Sequence, residues 1–167
     1  TTPLCLRHLP AEEEAIAERI GTLAPQYKTG LFGKWHLTYF GGPHPLEQGY
    51  DESTAGLNPN LTVEENPKHI VSLTDRSIRF MEDRVTEGAP FFLSIQHYAP
   101  HLPWEAKPET IEKYENLPPG DIHRHALYAA MTEDMDTGVG RVLDAINNLG
   151  IADNTYVIFA SDNGPIG

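Results

Sequence analysis

The sequence is poor in three things, and each shortage excludes something. Cys5 is the only cysteine among 167 residues, so neither an intrachain disulfide nor a thiolate zinc site can form. Positive charge is scarce: 12 Lys and Arg stand against 24 Asp and Glu, for a formal net charge of -12. Nucleic acids and anionic lipid surfaces both select clustered basic side chains, so no nucleic acid and no membrane partner is expected. An anionic substrate would have to be caught by local positive groups working against the overall field. Long apolar runs are also missing, and none approaches the roughly 20 residues a membrane span needs. The opening Thr1-Thr2-Pro3-Leu4 has no basic stretch leading into an apolar one, so no signal peptide is read there. Asn60-Leu61-Thr62 has the form of a glycosylation site, a triplet that carries little weight alone.

The rest of the composition is that of an ordinary globular chain, 40% hydrophobic and 22% charged. One domain of this length buries about two-thirds of its unfolded surface. Apolar periodicity predicts a helix from Pro10 to Leu23, with Glu12, Glu13 and Glu14 in the first turn and Ile16, Ile20 and Leu23 on one face. Tyr27 to Phe32 reads as a strand. Gly41 to Lys68, broken by Pro43, Pro45, Gly49, Gly56, Pro59 and Pro67, reads as a long loop with at most short elements. A second helix is expected from His69 to Val85, with Ile70, Leu73, Ile78 and Met81 inward. Ala89 to Ile95 then reads as a buried parallel strand covered on both faces. Asp121 to Leu149 is the longest helix, stopped by Gly150, and Thr155 to Ala160 reads as another buried strand. Alternation of helix and strand predicts an α/β fold, a mainly parallel sheet flanked by helices.

In such sheets the site lies beyond the carboxyl ends of the strands. Lys34 and His36, then His97 and His101, then Asp162 and Asn163 follow the three predicted strands and are expected to converge. Lys34 offers a fixed positive charge to an anionic oxygen. His36 and His101 can donate a hydrogen bond or move a proton. Asp162 and Asn163 offer a carboxylate and an amide oxygen suited to a hard cation. The set suits a tetrahedral anionic ester, sulfate or phosphate. Trp35 and Trp104 are expected to pack under the site. His8, His44, His69, His123 and His125 are read as surface or helix residues.

Gly33-Lys34-Trp35-His36-Leu37 resembles a signature of the sulfatases, members of the alkaline phosphatase superfamily. Pro90-Phe91-Phe92-Leu93 with Ala99-Pro100-His101 resembles their strand and histidine loop. Tyr128 to Asp136, Val139-Gly140-Arg141-Val142 and Ser161-Asp162-Asn163-Gly164 resemble their long helix and metal-ligand strand. The resemblance implies an alkaline-phosphatase-like fold, truncated, with residues 1–167 forming a partial catalytic domain. It implies that Lys34 and His36 contact the sulfate, that His101 serves the leaving-group oxygen, and that Asp162 and Asn163 ligate a divalent cation, usually calcium. The implied reaction is hydrolysis of a sulfate ester, on a small molecule or a glycan, through a formylglycine nucleophile made from Cys or Ser followed by x-Pro-x-Arg. Family members are often periplasmic, secreted or lysosomal.

The chain departs from that pattern at Cys5-Leu6-Arg7-His8-Leu9, which is not a formylglycine site, and at Thr38, where the signature has Gly. The family's paired N-terminal aspartates would precede Thr1. An internal fragment that is inactive alone and binds cation weakly is therefore expected. Two other readings fit the same residues: a phosphate or phosphonate ester hydrolase of the superfamily, and a non-enzymatic assembly module that kept the fold. A sheet lacking strands exposes an edge and apolar side chains, among them Phe91, Phe92, Leu93, Val157, Ile158 and Phe159, so a homo-oligomer is the expected state.

Overall fold

The computed structural model describes residues 9–10, 12–37, 42–55, 63–122 and 124–164. Cys5, Thr38 and the Asn60-Leu61-Thr62 triplet lie outside them. The elements in chain order are α1 (Ile16–Leu23), β1 (Lys28–Gly33), β2 (Glu52–Ser53), α2 (Ile70–Glu87), β3 (Phe91–Gln96), α3 (Pro108–Glu115) and α4 (Ala126–Asn148), with single 3-10 turns between some of them.

The strands form a parallel sheet in the order β2-β1-β3. β1 lies in the middle, and everything from Thr29 to Gly33 is buried. Its alternation sends Leu31 to one face, against Ala17 of α1 and Tyr50, and Phe32 to the other, against Leu73 and Phe80 of α2. β3 follows in register, Lys28 opposite Phe91 through Gly33 opposite Gln96. Phe92 accordingly joins the α1 face, while Phe91 and Leu93 join the α2 face. The Phe80 ring meets Phe32 and Phe91 edge-on, at centroid distances of 5.6 and 6.0 Å. Each such buried side chain contributes about 1.5–3 kcal/mol. A further core, Ile70, Ala99, Ala106, Ala130 and Met131, joins α2 and α4 to the segment after β3.

The sheet differs from expectation in its third member. Thr155–Ala160 is not a strand; the third strand is the two-residue β2. Tyr156, Val157, Ile158 and Phe159 are 98, 57, 88 and 76% exposed. An apolar run records a tendency to be buried but cannot supply the neighbour that buries it. β3, with one strand neighbour, is likewise half-buried along its whole length instead of covered on both faces.

Helix limits shift for local reasons. Only a turn, closed by Glu13 N–H on Pro10 O, occupies the start of the first predicted helix. α1 begins at Ile16, where the Glu18 carboxylate accepts from Ala15 N–H at 2.8 Å. Its buried residue is Ala17, whereas Ile16 and Leu23 are exposed. α2 forms nearly as periodicity predicts. α4 begins at Ala126 instead of Asp121, since Ile122, the apolar residue ahead of it, is exposed and packs on nothing among the described residues that would hold an earlier turn; Gly150, at φ +69°, stands just past its end. α3 was not anticipated. Its first turn is held from α4, where buried Asp134 accepts from Lys107 N–H and Thr110 Oγ1, both at 2.7 Å. Glu52 of β2 pairs with Arg76 and Arg84 of α2, tying the short edge strand to the helix.

Candidate functional site

Neighbouring parallel strands present their carboxyl ends side by side, and β1 and β3 end opposite one another at Gly33 and Gln96. Gly33 has φ +113°, and a Cβ there would lie 2.0 Å from Gln96 O. Only glycine permits so close an approach in that conformation. The turn it allows lets Lys34 N–H donate to Gln96 O at 2.8 Å. Lys34 and the loop after β3 therefore leave the sheet from adjacent points.

Trp35 packs on the Ala17, Leu31 and Tyr50 cluster, and its Nε1 donates to Pro43 O at 3.0 Å. Trp104 packs on the core beside α4, with its ring 5.4 Å from that of Tyr128. Both tryptophans are therefore packing residues, one beside the segment after β1 and the other beside the segment after β3. His36 is exposed in the turn after Trp35.

In the loop after β3, His97 is largely enclosed. Its Nδ1 is buried without a hydrogen-bond partner, and burial pushes its pKa below the usual 6.5. His97 therefore favours the neutral form. Tyr98 is buried, and burial raises its phenol pKa. His101 is exposed. Its N–H donates to Tyr98 O at 3.0 Å, and its Nδ1 lies 2.7 Å from Leu102 O. A carbonyl only accepts, so Nδ1 carries the hydrogen and Nε2 is the ring nitrogen left for a ligand.

Sequence reasoning missed two groups beside this loop. Lys68, read as the last residue of a polar loop, is 1% exposed, and its Nζ donates to Pro103 O at 3.0 Å. Burial lowers its pKa most; the Glu105 carboxylate opposes that shift and the Lys34 charge adds to it. His69, read as a surface or helix residue, sets its ring edge-on to Tyr98 with centroids 5.8 Å apart. No sequence signal marks either position. His44 caps a 3-10 turn, its Nδ1 accepting from Leu46 N–H, and His125 sits at the N-cap of α4 against Trp104.

Asp162 and Asn163 are exposed in a bend after the unpaired 155–160 segment. Asn163 Nδ2 donates to Gly164 O at 2.7 Å, leaving its side-chain oxygen for another partner. Without the expected strand, the sheet does not carry this pair to the ends of β1 and β3. Among the described residues no group of three His, Cys, Asp or Glu is placed to hold a metal. The two donors have the right chemistry for a hard cation but fall short of the roughly six to eight oxygens calcium takes. They fit as part of a metal site and not as a whole one.

A parallel sheet flanked by helices is the alkaline-phosphatase-like α/β arrangement. The solved structure of Ps i-CgsB shares it at a TM-score of 0.70 and 24% identity, covering 89% of this chain and 40% of that one. The chain belongs to the sulfatase family, whose model, Sulfatase, matches residues 10–167. It is similar to arylsulfatase A of Homo sapiens, 29% identical over 94% of this chain and 36% of the relative. It is also similar to a sulfatase of Formosa agariphila, 39% identical over 65% of this chain and 21% of the relative. The chain thus spans about a third of the length of the relatives that match most of it.

Proposed function

We propose that this chain is part of the catalytic domain of a sulfate-ester hydrolase and supplies its anion-holding and leaving-group side. The observation that carries the reading is the pairing of Gly33 with Gln96, which starts the Lys34 segment and the His101 loop from adjacent strand ends. Lys34 and His36 hold the oxygens of the sulfate group, and placed positive charge of this kind favours the charge that develops as the ester bond breaks. His101, as the imidazolium with Nδ1–H on Leu102 O, gives the proton on Nε2 to the bridging oxygen, so the alcohol leaves neutral and the ring is left neutral with its hydrogen on Nδ1. Asp162 and Asn163 would contribute two oxygens to a divalent cation, calcium by resemblance to the family. No Cys or Ser in the sequence is followed by x-Pro-x-Arg, so the reading assigns the nucleophile to no residue of this chain. Substrates are sulfate esters of small molecules or glycans.

The test is an NMR titration of residues 1–167 with inorganic sulfate and, in parallel, phenylphosphonate. Signals of Lys34, His36 and His101 are expected to move together on one saturable curve, tighter for sulfate, and Lys34→Ala should weaken it at least tenfold. Tighter phosphonate binding would favour a phosphate or phosphonate ester hydrolase. No concerted movement of these residues would sink the site. Hydrolysis of an aryl sulfate by this chain alone is not expected.

A second reading, association of copies of this chain, is favoured by the exposure of Tyr156 to Phe159 together with the open edge of β3. It is compatible with the first and has its own test below.

A further inference from the structure

Two consecutive residues at the entrance to α2 hold a backbone conformation that side chains resist. Lys68 has φ 53° and ψ 21°, His69 has φ 58° and ψ 18°, and no other non-glycine residue among the described ones has positive φ. In this left-handed region Cβ crowds the following carbonyl. Such residues persist where the surroundings over-determine them, and they gather at functional sites.

The surroundings here are the loop that carries His101. Lys68 is buried, which lysine tolerates only when its ammonium is engaged. A lysine that merely covered apolar surface would run its charged end out to water. Lys68 instead ends on Pro103 O, two residues past His101. His69 sets its ring against Tyr98, three residues before His101. Tyr98 opens the turn that the His101 N–H closes on Tyr98 O, and Pro103 stands two residues past its close. A right-handed or extended backbone at 68–69 would aim these side chains elsewhere. The other charges acting on Lys68 are Glu105, which follows the loop, and Lys34, which follows β1.

We propose that Lys68 and His69 are positioning residues for His101: a two-residue clamp that grips its loop at Pro103 and Tyr98 and so sets where the imidazole stands relative to Lys34. The inference rests on the reading of Lys34 and His101 as an anion subsite. The cost of two left-handed residues is borne at the helix entrance, and the benefit appears one loop away.

The variants Lys68→Met and His69→Gly test it, with far-UV circular dichroism for folding, NMR of the His101 imidazole without ligand, and titration with inorganic sulfate. Lys68→Met keeps the length of the side chain and removes the donor. His69→Gly removes the ring and relaxes the backbone, since glycine accepts positive φ freely; it should fold at least as stably as the parent. Both are expected to shift or split the His101 signals and to weaken sulfate at least fivefold, although neither removes a group that touches the anion. A purely structural role would move the melting temperature and leave a folded variant's His101 signals alone. Parent-like His101 signals and sulfate affinity in folded variants overturn the clamp. If Lys68→Met does not fold, His69→Gly decides by itself. If the parent shows no sulfate response, the anion subsite fails, and the ligand-free His101 signals still decide the clamp.

Discussion

At the scale of single residues, His97 gives the clearest pH signature. Its Nδ1 is enclosed without a partner, and burial holds its pKa below 6.5. An unfolded chain takes up a proton on this ring near pH 6.5, whereas the folded chain resists until lower pH. Above pH 6.5 both states are neutral there and the group has no effect. As pH falls through and below 6.5 the unfolded state binds more protons and stability declines. Urea midpoints at pH 7.5 and pH 5.5 should therefore differ more in the parent than in His97→Gln. Equal differences would show that other groups set the pH response. That Lys34 follows β1 and that His101 lies in the loop after β3 could be read from sequence because strand-shaped runs precede them. Lys68 and His69 could not, because a left-handed backbone at non-glycine residues leaves no mark in the sequence, and their partners lie 35 and 29 positions away, at Pro103 and Tyr98.

At the scale of elements, α3 depends on a partner distant in sequence. Its first turn offers orphan N–H groups, as every helix does. Lys107 stands at the N-cap without a side-chain bond of its own. The missing acceptor is Asp134 of α4, which serves Lys107 N–H and Thr110 Oγ1. Asp134→Ala would strand both donors, costing about 1–3 kcal/mol. The expected result is a lower urea midpoint together with faster amide exchange across 108–115. Unchanged exchange in that segment would mean that packing of Ile111 and Tyr114 holds α3 without the cap. Distant capping also explains why α3 was missed: 107–116 carries few apolar residues and no local cap. β1, β3, α2 and α4 could be read because their apolar spacing is strong enough to decide them locally. Thr155–Ala160 shows where such spacing stops being enough, since a strand is defined by its neighbour and the neighbour is not written in the run itself.

At the scale of the whole molecule, an acidic chain exposes a strip of large apolar side chains. Net charge of -12 opposes self-association, and salt weakens that opposition. Tyr156, Ile158 and Phe159 favour it, each gaining on burial. Light scattering at tens of micromolar is expected to give at least twice the monomer mass, with the larger species growing as salt rises. Ile158→Lys should restore the monomer. A monomer at all concentrations would show that the strip tolerates water and that association is not a property of this chain.

The same strip has a consequence for handling the protein. Proteases bind their substrates as extended backbone with a side chain seated in a pocket, and Tyr156 and Phe159 suit a chymotrypsin-like pocket. A single cut after either one would release the peptide carrying Asp162 and Asn163 and leave the sheet, α2, α4 and the His101 loop whole. Brief digestion should therefore trim the chain to an end near residue 156 or 159, a product mass spectrometry would identify. If copies shield one another there, the trimming should slow as protein concentration rises at a fixed ratio of protease to chain.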